Sequence, residues 1–262
     1  MATKELREID RYVNLLKQEI SKQDPVVLSV VVALAVVILT IVLFKIILGR
    51  KNTRRGVLLV GLCDSGKTLL FSKLTSGKYV MTQTSIKENS GTYKLQGEKK
   101  GVLKILDLPG HERLRNHKID QFKDQARCIV FLVDSVTFQK DIKEVAELLY
   151  NLLSDQVISH NALPFLIACN KTDITTAKSS NVIKIQLEKE MNTLRITRSA
   201  ALEGIDSSGS NKTYLGKKGK DFEFSHLKPI KVDFVECSAR GAKSEESEGD
   251  ISEIEKWLYQ VS

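Results

Sequence analysis

Gly56-Val57-Leu58-Leu59-Val60-Gly61-Leu62-Cys63-Asp64-Ser65-Gly66-Lys67-Thr68-Leu69-Leu70 is an apolar run that breaks into a glycine-bounded loop and resumes with helix-forming residues. It predicts a strand, a phosphate loop and a helix in succession. In Gly61-x-x-x-x-Gly66-Lys67-Thr68 the glycines let the backbone curl. Successive N–H groups, from Leu62, Cys63, Asp64 and Ser65 through to Leu69, then point at a phosphate chain with the positive helix end behind them. Lys67 would reach the β- and γ-phosphates, and the Thr68 hydroxyl would coordinate Mg²⁺. A glycine turn with a stray lysine explains the pattern less well, because the strand before it and the helix after it are both in place.

The chain has 262 residues, enough for one sizeable α/β domain and an appendage. No self-similar period runs through it, which excludes a repeat architecture. A net charge of +8 could suit a nucleic-acid binder, yet much of the excess lies in Lys45, Arg50, Lys51, Arg54 and Arg55. That cluster follows an apolar run and points to lipid headgroups first, so no sequence-specific nucleic-acid contact is expected. Cys63, Cys128, Cys169 and Cys237 lack the paired spacing of a zinc or redox motif. They read as small buried thiols in a reducing compartment.

From Val26 to Phe44 there is no charge, and Ser29 and Thr40 are the only polar breaks. Such a helix rises about 28 Å against a hydrocarbon core of about 30 Å. The expectation is one N-terminal transmembrane helix over residues 25–48, with Lys45 able to snorkel. A cleaved signal peptide fits poorly: the run is too long, no small-residue cleavage site follows, and the preceding segment is not basic. The C-terminal flank is basic and the N-terminal flank balanced, which places residues 56–262 in the cytosol, residues 1–24 on the lumenal side and residues 49–55 as a basic juxtamembrane linker. Leu6, Ile9, Val13, Leu16 and Ile20 recur at helical spacing, so residues 1–24 read either as a short amphipathic helix or as a solvated arm. Ala2 and the terminal Tyr259-Gln260-Val261-Ser262 carry no lipidation signal, which leaves the span as the anchor.

Beyond the phosphate loop, Lys67 to Ser76 continues as a helix ending at Gly77, followed by a polar loop from Lys78 to Ser85. Gly91 to Leu95 and Val102 to Leu106 predict an antiparallel hairpin around Gly97 and Gly101. Ala126 to Val133 and Pro164 to Cys169 are continuous apolar runs, as in central strands covered on both faces. Phe138, Ile142, Val145, Leu149 and Leu152 mark one helix, and Ile183, Leu187, Met191 and Leu194 another. Residues 199–221 substitute Ser, Gly and Lys for core residues and read as an inserted, mobile surface loop. A strand over Ile230–Cys237 and a capped helix with the stripe Ile251, Ile254, Trp257, Leu258 and Val261 close the chain. The expected class is α/β, a doubly wound and mostly parallel sheet preceded by one transmembrane helix.

In such a sheet ligands sit at the carboxyl ends of strands, and every remaining motif falls at such an end. Asp107-Leu108-Pro109-Gly110 puts a carboxylate where it could hold a water on Mg²⁺ and an N–H of Gly110 where a γ-phosphate would end. Asn170-Lys171-Thr172-Asp173 discriminates a base: the Asp173 carboxylate accepts from the N1–H and 2-amino group that guanine alone offers. Asn170 can brace the phosphate loop, the stem of Lys171 can cover the ring, and Ser238-Ala239 can direct an N–H to the guanine oxygen. Thr82, Gln83, Thr84 and Ser85 lie in the loop that would close on the nucleotide, with either Thr82 or Thr84 completing the Mg²⁺ site.

In this order the motifs over residues 56–262 resemble the small-GTPase family, and within it the Arf/Sar-like branch, whose alignment favours Thr84. The resemblance implies the P-loop GTPase fold, GTP or GDP with Mg²⁺, and a single-pass protein of the endoplasmic reticulum membrane. Its GTP form would hold a peripheral partner subunit where ribosomes carrying nascent secretory chains are received. His111 stands where many relatives carry the glutamine that orients the attacking water, and slow hydrolysis is expected. Arg240 replaces the usual lysine after Ser238-Ala239. Two other readings are an active coat-recruiting Arf/Sar-like GTPase, against which the permanent span argues, and a structural tether with constitutively bound GTP.

Overall fold

The apolar run at the start of the phosphate loop forms β1 (Gly56–Gly61), buried along its whole length. The computed structural model describes residue 29 and residues 33–40, 54–95, 101–203, 215–217, 219–241 and 249–262. Contacts divide the chain into Met1–Thr53 and Arg54–Ser262. In the first unit residues 33–40 are helical and exposed. Among the described residues no helix is long and apolar enough to cross a membrane, and the expected span over 25–48 lies outside them except at residues 29 and 33–40.

The second unit continues with α1 (Lys67–Ser76), β2 (Asn89–Lys94), β3 (Val102–Asp107), α2 (Glu112–Phe122), β4 (Ala126–Asp134) and α3 (Phe138–Leu153). It ends with α4 (Gln156–His160), β5 (Phe165–Asn170), α5 (Ser180–Glu203), β6 (Val232–Glu236) and α6 (Ser252–Val261). The six strands lie in the order β2-β3-β1-β4-β5-β6. Only the β2–β3 hairpin is antiparallel. The mixed, mostly parallel α/β sheet matches the expectation.

Side chains alternate across each strand and so feed two cores. Leu58, Val60, Ile129, Phe131 and Val133 face a cluster that takes in α3 and, through Ile183, Leu187 and Met191, α5. Val57, Leu59, Val130 and Leu132 face Leu70 and Leu74 of α1 and Ile254, Trp257 and Leu258 of α6. Both faces of β1 and β4 are thus dry, which is why their sequences are unbroken apolar runs.

Three features depart from the sequence reading. Helix α2 has no apolar stripe, only Arg115 and Ile119 being buried, so periodicity could not announce it. Residues 199–203 complete α5 instead of opening a loop, and the far end of the segment is packed, with Leu215 and Phe222 buried. Arg195 holds that far end, its guanidinium donating to the carbonyls of Leu215 at 3.4 Å, Lys217 at 3.3 Å and Lys220 at 2.5 Å. Residues 204–214 lie outside the described residues. Cys63 is exposed, because the phosphate loop turns it away from the core, while Cys128, Cys169 and Cys237 are buried and free. Burial pushes the thiols of Cys128 and Cys169 up to about 12.

Phe131 is fully buried at the centre of β4. Phe131→Ala is expected to lower the unfolding free energy by about 3–5 kcal/mol, and Phe131→Leu by about 1 kcal/mol, read from urea midpoints at constant slope.

Candidate nucleotide-binding site

Because β1, β3, β4 and β5 are parallel, their carboxyl ends meet at one edge of the sheet. A cavity of about 300 Å³ lies at that edge. Cys63, Asp64, Gly66, Lys67, Thr68 and Leu69 line it from the loop after β1, Thr82 to Ser85 from the loop after α1, and Gly110, Lys171 and Arg240 from the other strand ends. Gly61 and Ser65 shape the loop beneath it. Tyr79 and Leu108, which the motifs did not mark, also line it.

Gly66 caps the amino end of α1 with φ of 92°, and a Cβ there would stand 2.2 Å from Asn170 Nδ2. Both the left-handed backbone and the carboxamide restrict this position to glycine. Gly110 is small for a different reason: a Cβ would lie 2.7 Å from the backbone nitrogen of Cys63. The segment after β3 therefore rests directly on the phosphate loop. Arg115 of α2, buried, fixes this contact by donating to the Gly110 carbonyl at 3.3 Å and to Glu144 Oε1 of α3 at 3.4 Å.

The charged groups are held out of water. Lys67 is 6% exposed and its Nζ donates to the Leu62 carbonyl at 2.6 Å. Burial pulls its pKa below the ordinary lysine value. Asp107 is fully buried, and its Oδ2 accepts from Thr68 Oγ1 at 2.8 Å and Asn89 Nδ2 at 2.9 Å. Its Oδ1 is buried with no partner, and burial raises the carboxyl pKa. An orphaned carboxylate oxygen beside a threonine hydroxyl is a suitable donor set for a hydrated divalent cation, and the residues fit Mg²⁺. The hydroxyl that touches Thr68 is that of Ser85, at 3.1 Å. Thr82 and Thr84 line the cavity without that contact.

At the base-discriminating end, Asn170 Nδ2 donates to the Ser65 carbonyl at 2.8 Å, bracing the phosphate loop. Its Oδ1 accepts from the Ala239 N–H at 2.9 Å. This is the N–H that the sequence reading directs to a base oxygen. Lys171 has φ of 67° and pairs with Asp134 Oδ2 at 2.6 Å. Asp173 is exposed, and its Oδ1 accepts from Ser238 Oγ at 2.6 Å. His111, expected to orient water, is exposed and does not line the cavity. Its Nδ1 accepts from the Arg113 N–H at 3.4 Å as the cap of α2. The helix that sequence periodicity missed is what holds the imidazole there.

The profile of the family described as signal recognition particle receptor beta subunit matches residues 52–232. The chain belongs to this family. A signal recognition particle receptor subunit beta from Rattus norvegicus is 52% identical over 96% of this chain and 93% of its own. Among solved structures, that of the mammalian SRP receptor is 49% identical, with a TM-score of 0.68 over 79% of this chain and 100% of that one. The GDP form of the receptor SRb from Chaetomium thermophilum is 25% identical, with a TM-score of 0.55 over 80% of this chain and 96% of that one. The six-stranded sheet is that of the small-GTPase fold.

Burial raises the carboxyl pKa of Asp107, so the nucleotide-free fold binds this proton more tightly than the unfolded chain does. Its contribution to stability is complete below the ordinary carboxylate value and is lost as pH rises through the raised folded-state value. Asp107→Asn is expected to remove that dependence and raise the nucleotide-free melting temperature at pH 7 by a few degrees. The same change should weaken Mg²⁺-dependent nucleotide binding roughly 10–100-fold. Melting curves across pH 4–8 and a nucleotide titration check the two halves.

Proposed function

We propose that this chain is the membrane-anchored, GTP-binding subunit of the signal recognition particle receptor, and that its GTP-bound state holds the receptor's alpha subunit at the endoplasmic reticulum membrane. The observation that carries the reading is the convergence of Lys67, Thr68, Asp107 and Gly110 with Asn170, Lys171 and Asp173 on one sheet edge, in a chain of this family. Membership of the receptor family supports an alpha-subunit partner. Through it the chain would act indirectly on the signal recognition particle, the ribosome and the translocon.

The loop N–H groups from Leu62 to Leu69 and the Lys67 ammonium would bind the phosphates. Bound Mg²⁺ would supply charge neutralisation between them. Thr68, with Ser85 or Thr84, and Asp107 through water would hold the ion. Asp173 would accept the guanine N1–H and 2-amino hydrogens, and the Lys171 stem would cover the ring. The Gly110 N–H would read the γ-phosphate, so that the segment from Thr82 to Ser85 and the start of α2 order together only when that phosphate is present. Hydrolysis is slow in this reading, because His111 serves as a helix cap outside the cavity. The uncharged stretch within residues 25–48, followed by a basic linker, supports a single span with the nucleotide-binding domain in the cytosol.

Two outcomes test this. Asp173→Asn replaces one acceptor oxygen of the pair by a donor and removes the charge that assists both bonds, worth about 1.5–3 kcal/mol each, so preference for guanine over other bases should fall roughly a hundredfold in competition binding, with phosphate-loop contacts retained. The full chain in detergent, loaded with a non-hydrolysable GTP analogue, should retain the alpha subunit, and the GDP-loaded chain should not. Equal retention in both states would identify a constitutive tether, and retention of coat proteins an Arf/Sar-like function.

A further inference from the structure

The end of the sheet opposite the nucleotide cavity has a second hollow of about 690 Å³. Strand register creates it: Gly56 opens β1 opposite Lys104 of β3 and Ala126 of β4, and Lys94 closes β2 opposite Val102. Arg55, Lys94 and Arg127 line the hollow together with Leu95, Val102, Leu103 and Ser262, whose terminal carboxylate is the one anionic group among the described lining residues. None of the three cations forms an ion pair among the described residues. Arg127 is held in place, its Nε donating to the Val261 carbonyl at 2.6 Å. Beside them Val102 is 45% exposed. Three cations against one carboxylate leave the opening net positive, and only Arg127 makes a side-chain hydrogen bond to the fold among the described residues. It suits an external anion with carbon attached.

The chain enters the second unit here, through Arg54 and Arg55. If residues 25–48 span a bilayer, the six residues 49–54 reach at most about 20 Å, which keeps Arg55 near the membrane surface. A tethered site meets lipid at high effective concentration, so even a weak pocket would be filled. Nucleic acid fits less well, because no aromatic ring lines the hollow to stack a base.

We propose that this basal groove binds the phosphate of an anionic phospholipid in the leaflet from which the chain emerges. Arg55, Lys94 and Arg127 pair with the headgroup, and Leu95 and Val102 meet its glycerol and acyl carbons. The inference rests on the membrane-anchored reading above and adds to it a specific lipid contact that orients the domain.

The test uses the full chain in nanodiscs of phosphatidylcholine alone or with increasing phosphatidylserine, read by amide hydrogen exchange over residues 93–104. Phosphatidylserine should slow exchange there. Arg55→Gln with Lys94→Gln should weaken the apparent affinity for phosphatidylserine roughly thirtyfold, as expected for two cations near a charged surface. Arg55→Lys with Lys94→Arg should restore the response, and unchanged GTP-analogue binding in both variants verifies the fold. A chain that resists alkaline carbonate extraction yet shows no phosphatidylserine effect would overturn the groove and leave the anchor standing. Extraction by carbonate would overturn both. Equal slowing by inorganic phosphate over phosphatidylcholine, or slowing by an RNA oligonucleotide alone, would overturn the lipid assignment in favour of that ligand.

Discussion

The Asn170 carboxamide joins the parts of the molecule that must not move apart. It stands at the carboxyl end of β5, 2% exposed, and spends its donor on the Ser65 carbonyl and its acceptor on the Ala239 N–H. One side chain thereby ties the loops after β1, β5 and β6 to a common point. A buried amide left with either half unmatched would cost about 1–3 kcal/mol, so the three loops hold one another in register. The tight packing of Gly66 against this group follows from the same contact: a phosphate loop braced so closely leaves no volume for a side chain.

Around that fixed point, the charges are arranged unfavourably for the protein alone. Burial favours the neutral forms of both Lys67 and Asp107, lowering one pKa and raising the other. A hydrogen bond from Thr68 and another from Asn89 reach only one oxygen of Asp107. Such a site gains most from a ligand that supplies anionic oxygens to the lysine and a cation, with its water, to the carboxylate. Preorganisation without ligand has its cost in the fold, recovered when the ligand binds.

A parallel sheet has two chemically different ends, and this chain uses the difference. At the carboxyl ends, strands open into loops that carry nearly all of the polar motif residues, because only there do several segments converge with their backbone groups unspent. At the amino ends the chain arrives at Arg54 and Arg55, and Arg54 donates to Asn161 at 2.8 Å. Arg54, Arg55 and the other cations of the basal groove thus lie at one end of the sheet, and the nucleotide cavity at the other.

How much of this could be read from sequence depended on whether a residue's role is local. The loop from Gly61 to Thr68 and the run from Asn170 to Asp173 were legible because each encodes its geometry within a few neighbouring positions, and the strands because complete burial forces unbroken apolar runs. Asn89 and Arg115 were not legible, nor was the contact that Ser85, placed in the closing loop by sequence, makes with Thr68. Each acts on a group 17, 18 or 5 positions away, Ser85 on Thr68, Asn89 on Asp107 and Arg115 on Gly110, with no periodic or spacing signal of its own. Arg115 was hidden further by its helix, whose outward polarity conceals that a guanidinium is among its buried side chains. Likewise the serine- and lysine-rich composition near residue 215 suggested solvent, whereas Arg195 collects three of its backbone carbonyls against α5. Composition reports what side chains prefer on average; a single buried cation that gathers carbonyls can order a polar segment that has few apolar side chains to bury.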